Sequence, residues 1–242
     1  MKKNIVSNAR RFLVAYNNID YALKTRYGFN RSMGFSELIR KSVSVNYVVR
    51  KYEDDLVDYG RLRNAIIHNN NEEIIIAEPH AEVIEKIEHI EKLLTTPPLA
   101  LDSIAQKQVV VIDSCKSMRE VIKLISSTGF SNIPVYRDKI LLGVANGQKI
   151  LHSFGQYLLA GGNEKTFLDN VQIEDMLSSL ENSTYFCVKE AGCTIEEALS
   201  EFDKNHKLLA ILFTKTGQPT ELPLGIMTGA NVVEAQRIIE NY

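Results

Sequence analysis

Arg63, Asn64 and His68 lie close together in "YGRLRNAIIHNNN" (residues 59–71), set among apolar residues and followed by a run of asparagines. An imidazole titrates near neutrality and can take or give a proton, while a guanidinium is a fixed cation for charge that grows in a transition state. Such a set suits metal-independent RNA cleavage, in which a ribose 2′-OH attacks the adjacent phosphate and leaves a 2′,3′-cyclic end. His68 would carry the proton, Arg63 would face the phosphorane charge, and Asn64 would orient the phosphate or the imidazole. A plainer account stands beside it: a helix end, with His68 as a cation near the C-terminal dipole and Arg63 in a surface ion pair.

Geometry narrows the roles. On an ideal helix Asn64 and His68 share a face one turn apart, and Leu62, Ala65 and Ile66 form the neighbouring apolar face that must be buried. Arg63 sits about 140° from His68, so the two do not stack within one chain. Arg61, only about 20° from His68, is a rival for the arginine role. The asparagine that follows Arg63 favours Arg63.

The elements that must position these residues read as helical. "NARRFLVAYNNIDYALKTRY" places Phe12, Tyr16, Ile19 and Leu23 on one stripe, and "AEVIEKIEHIEKLL" does the same with Val83, Ile84, Ile87, Ile90 and Leu94. Between them "FSELIRKSVSVNYVVRKYEDDLVDYGRLRNAIIH" continues the pattern, with a break in its middle left open. The expectation is an all-helical N-terminal domain of about four helices. Pro97 and Pro98 cannot continue the last helix, which sets domains at residues 1–96 and 97–242. Residues 1–68 hold 13 Lys and Arg against 6 Asp and Glu, the footprint of a polyanion site or of solvated helix faces.

"RNAIIH" has the form Arg-Asn-x-x-x-His, and this basic helical domain resembles the HEPN-type ribonucleases. The resemblance implies a homodimer in which two copies of the helix meet, so that Arg63, Asn64 and His68 from both chains share one composite cleft.

Beyond the prolines the chain repeats itself. "VIDSCKSMREVIKLISSTGFSNIPVY" from Val111 lies over "VKEAGCTIEEALSEFDKNHKLLAILF" from Val188, an offset of 77 residues. Ser117-x-x-Glu120 falls on Thr194-x-x-Glu197, and each is a capping box that starts a helix. A buried strand follows each helix, then a turn, a second strand and another helix. The repeat resembles a tandem cystathionine-β-synthase (CBS) domain pair, its first copy at about residues 100–155 and its second at about 170–242. The resemblance implies an α + α/β fold class: a helical bundle followed by the tandem CBS α/β pair.

Modules of that family often bind adenine nucleotides between their copies, such as AMP, ATP or a related nucleotide. The resemblance assigns that role here to Gly225, Thr228 and Asn231, to Ile133 and Pro134 of "SNIPVY", and to Lys207 ahead of the second central strand. Thr228 and Asn231 would also serve as plain helix-capping residues, and Lys207 as an exposed lysine. In the first copy Asn146 stands for Thr228 and Lys149 for Asn231, which sets a second symmetrical site in question.

Composition excludes other classes. Of 242 residues 45% are apolar and 24% charged, an ordinary globular balance, and no apolar run is long enough to span a bilayer. No signal-peptide pattern opens the chain, and Cys115, Cys187 and Cys193 have no paired spacing, so a cytoplasmic protein with free thiols is expected. No Ser-His-Asp series, glycine-rich phosphate loop or metal-ligand cluster appears; His80 and His89 sit in an acidic helical stretch with no partner pattern in the sequence. The expected function is a nucleotide-regulated, metal-independent RNA endonuclease that needs no cofactor. The alternatives are a non-catalytic sensor whose helical domain dimerises or docks a partner, and a toxin held by a separate antitoxin or regulatory protein.

Overall fold

Helix α1, Asn8–Tyr27, starts where the Ser7 hydroxyl accepts the Arg10 N–H and stops at Gly28, whose φ of 64° is the left-handed conformation that favours glycine. Its stripe of Phe12, Tyr16, Ile19 and Leu23 is buried. It packs against α5, Ala81–Thr95, where Ile84, Ile87, Ile90 and Leu94 are buried and Val83 is half-buried. Each fully buried side chain of this kind stabilises the fold by about 1.5–3 kcal/mol before the entropy of ordering it is counted. Arg11 pairs with Glu88, and Asn18 with Glu91, along the same seam.

The structure is a computed structural model that describes residues 7–67, 77–178 and 184–242. Two units divide it: Met1–Pro98 with Ile238–Tyr242, and Leu99–Arg237. The long middle pattern of the first unit is three helices, α2 at Phe35–Ser42, α3 at Tyr47–Lys51 and α4 at Glu53–Ile66. The break falls at the turn of residues 43–45, just before Asn46. Buried there, Asn46 caps α3 by accepting the Val49 N–H at 2.8 Å.

In the second unit, after the short α6 (Ala100–Ser103), the order is β1 (Ile112–Asp113), α7 (Met118–Thr128), β2 (Asn132–Arg137), β3 (Ile140–Asn146) and α8 (Gly147–Leu159). Helices α9 (Glu164–Asn170) and α10 (Ile173–Ser178) lead to β4 (Phe186–Glu190), α11 (Ile195–Lys204), β5 (Ala210–Thr214), β6 (Gly225–Thr228), one 3-10 turn (Gly229–Asn231) and α12 (Val232–Asn241). Each copy forms a three-stranded sheet, β1-β2-β3 and β4-β5-β6, with the first pair parallel and the second antiparallel. Parallel strands need a crossover, and the capped helix supplies it in each copy. Both capping boxes form: Ser117 N–H donates to Glu120 at 3.0 Å and Thr194 N–H to Glu197 at 2.9 Å, while each hydroxyl takes the returning N–H. Asp138 and Lys139, both at positive φ, make the tight hairpin between β2 and β3. Tyr136, Leu141 and Val144 of the first sheet share one buried cluster with Ala210, Leu212 and Ile226 of the second. The two copies therefore face each other across a common core.

Ladder register sharpens the repeat. Asn132 pairs with Asn146 and Val135 with Gly143; Ala210 pairs with Thr228 and Phe213 with Gly225. Gly143 and Asn146 are thus the counterparts of Gly225 and Thr228. The central strands are offset by 78 residues (Asn132 to Ala210), whereas the capped helices keep 77 (Ser117 to Thr194). One extra residue lies between helix and central strand in the second copy.

Candidate functional site

Helix α4 carries the arginines of the first unit. It stops at Ile66, and Ile67 is extended at φ −108° and ψ 91°. The helix on which the angles to His68 are reckoned therefore ends before that residue, and His68 itself lies outside the described residues. Ile66 is fully buried and Leu62 half-buried, but Ala65 is exposed, so the apolar face is narrower than the sequence pattern implies. Asn64 is exposed. The two arginines differ: Arg61 is paired with Asp58 at 2.8 Å, while Arg63 is half-buried and forms no ion pair with the described residues. Arg63 is near enough to Tyr16 to act on its phenol. Burial pushes that phenol up to about 12, Asp20 adds to the rise, and Arg63 opposes it.

The second unit holds a cleft of about 130 Å³. One wall is the segment ahead of β1, with Gln106, Gln108, Val109 and Val110; another is residues 129–132, where α7 ends and β2 begins; the third is Ile226 and Thr228 at the end of β6. Local sequence makes each wall. Gly129, at φ 73°, ends α7 and turns the chain into β2. Gln106 exchanges two backbone hydrogen bonds with Ile226, at 2.9 and 3.0 Å, which draws the first wall toward β6.

The expected nucleotide residues distribute unevenly around this cleft. Thr228 lines it. Asn231 stands behind Thr228 and accepts on Oδ1 from both the backbone N–H (2.9 Å) and the hydroxyl (3.2 Å) of that residue. Ile133 and Pro134 are buried in β2, and it is their neighbours Ser131 and Asn132 that reach the cleft. At Gly225 an added Cβ would stand 2.6 Å from Leu101 Cδ1 and 3.3 Å from Ala105 Cβ, so the close approach this glycine permits is by the chain's own α6 region. Lys207 is exposed and is not part of the cleft wall; its backbone N–H donates to Asn205 Oδ1 at 3.0 Å. The glutamines of the first wall escaped the sequence reading. Their only signal was a polar pair just ahead of the "VVVI" run.

No helix among the described residues is long and apolar enough to cross a membrane, and none of their His, Cys, Asp and Glu side chains gather in a group that could hold a metal ion.

The sequence matches no established family model and no curated protein. Among solved structures the chain is similar to CBSX2 in complex with AMP, at 20% identity and a TM-score of 0.44 over 59% of this chain and 98% of that one. It is also similar to the CBS domain of the bacterial CNNM/CorC family Mg2+ transporter in complex with ATP, at 19% identity and 0.44 over 62% and 94%. A third is a CBS domain-containing protein from Kribbella flavida, at 16% identity and 0.44 over 57% and 97%. The repeat within the chain, not these distant likenesses, carries the fold description.

Proposed function

We propose that the second unit is a CBS pair that senses an adenine nucleotide, AMP, ATP or a relative, in the cleft closed by Thr228. The single observation that carries this reading is the placement of Thr228. It is the last residue of β6, immediately before the turn that leads into α12, and it faces a concave surface built from both copies. Backbone N–H groups at such a helix start, together with a hydroxyl, suit an anionic group. Ser131 and Asn132 across the cleft supply polar contacts for a ribose or base. A thermal-shift series with AMP and ATP tests it. Ligand at 100 times its dissociation constant should stabilise the folded chain by about 2.7 kcal/mol, and the absence of any shift with either nucleotide would remove the reading.

The finer reading joins this sensor to an HEPN-like homodimer that cleaves RNA without a metal through Arg63, Asn64 and His68. What favours it is the contrast on α4, where Arg61 is engaged with Asp58 and Arg63 is not engaged with any described carboxylate. A nucleotide that binds one arrangement of the dimer more tightly than another would then shift activity. Purified protein incubated with labelled RNA in excess chelator, with and without nucleotide, decides between cleavage and the alternative of a non-catalytic sensor. In the latter case the helical unit only dimerises or docks a partner protein, whereas a toxin held by a separate antitoxin or regulatory protein belongs with the cleaving outcome.

A further inference from the structure

We propose that this chain holds one nucleotide and not two, because the position related to the Thr228 cleft by the internal repeat is zipped shut by its own backbone and by Lys149. The inference rests on the nucleotide reading above. The ladders show the difference between the two positions. In the first copy β1 pairs with β2 only at Ile112 and Asp113, and the chain ahead of it leaves β2 to bond Ile226 instead. That divergence is what opens the cleft at Gln108. In the second copy β4 pairs with β5 along five residues, Phe186–Glu190, and the zip extends further, since Leu209 N–H donates to the Tyr185 carbonyl at 2.7 Å. Asn205 Nδ2 closes the next step on the Thr184 carbonyl at 2.6 Å. The repeat makes Tyr185 the counterpart of Gln108 and Lys149 the counterpart of Asn231.

Side chains complete the closure. Lys149 extends from the start of α8 and places its ammonium over the Tyr185 ring, with Nζ buried and without a hydrogen-bond partner. A cation on an aromatic face is held by the ring quadrupole, which offsets part of the cost of removing it from water. A ligand entering here would have to break the Leu209 to Tyr185 bond and lift the lysine from the ring. The open cleft asks for neither.

Isothermal titration of the full chain with AMP and with ATP tests the stoichiometry, and acylation of lysines by acetic anhydride, read by mass spectrometry, tests the closure independently. The expected results are one nucleotide per chain, lost in Thr228→Val and kept at one in Lys149→Met. Lys149 should also acetylate at least tenfold more slowly than exposed Lys107, with or without nucleotide. Two nucleotides per chain would overturn the proposal while leaving the sensor reading intact. One nucleotide that survives Thr228→Val and disappears in Lys149→Met would also overturn it, by moving the site to the other position. Absence of any binding defeats the sensor reading and the stoichiometry with it. Acetylation of Lys149 as fast as Lys107 overturns the closure whatever the titration gives.

Discussion

Gly225 and Leu101 meet so closely that a Cβ on the glycine would lie 2.6 Å from Leu101 Cδ1, which would have to move. A glycine ahead of a Thr and an Asn invites a ligand explanation, yet the contact it allows is internal, between β6 and α6.

Gly225→Ala should therefore destabilise the second unit by about 1–3 kcal/mol, the usual cost of overpacking, and Leu101→Ala should recover part of the loss. Urea unfolding of the single and double variants measures this. A Gly225→Ala chain of full stability that has lost nucleotide binding would assign the glycine to the ligand instead.

The two capping boxes stand at equivalent places and should cost alike. Ser117→Ala and Thr194→Ala are each expected to lower stability by about 1 kcal/mol. The effects should add, because the boxes start different helices and share no partner. A combined loss far from the sum in denaturant titration would show that the two copies are coupled through these helix starts.

In the RNA-cleavage reading Arg63→Ala should lower the cleavage rate by at least a hundredfold and Arg61→Ala by little, since the latter sits in an exposed ion pair worth at most about 1 kcal/mol. His68→Ala should match Arg63→Ala. Gel assays in chelator give the rates; equal loss from Arg61→Ala with Arg63→Ala active would transfer the cationic role to Arg61.

His89 gives the first unit a pH dependence. Burial holds its imidazole below the usual histidine value, Lys51 and Lys92 push the same way, and a hydrogen bond to the Ile239 backbone opposes them. A base whose folded value is depressed binds fewer protons folded than unfolded between the two values. Its contribution is thus present above the ordinary value of about 6.5 and is lost as pH falls toward the lowered one. Unfolding free energies compared between wild type and His89→Gln should diverge across that window, with the variant flatter. Parallel curves would mean that His89 titrates normally.

How much of this was legible in the sequence depends on whether the signal was local. Ser117 with Glu120 and Thr194 with Glu197 declare helix starts within four residues, and the stripes of α1 and α5 declare faces, so repeat and helices could be read directly. Register could not. The extra residue ahead of β5, and the early divergence of the chain from β2, are decided by hydrogen bonds between distant segments. The same holds for Lys149 on Tyr185, 36 residues apart in the sequence. The end of α4 was missed for a different reason: "RNAIIH" keeps an apolar spacing that suits a helix, but Ile67 turns extended all the same. Ser131 and Asn132 reach the cleft because they lie where α7 gives way to β2, and burial begins only with Ile133.

Helix α12 begins after the Thr228 turn, yet its residues from Ile238 onward belong to the first unit, where Ile239 is fully buried, Glu240 pairs with Lys51 at 2.8 Å, and the Tyr242 hydroxyl donates to the Thr96 carbonyl at 2.8 Å. Order of synthesis and order of closure therefore differ. With translation at roughly 5–20 residues per second, Ile238 follows Pro98 off the ribosome by roughly 7–28 s. Through that interval the helices that carry Arg63 wait without their last turn. The first unit is completed only in a chain that already carries the whole of the second.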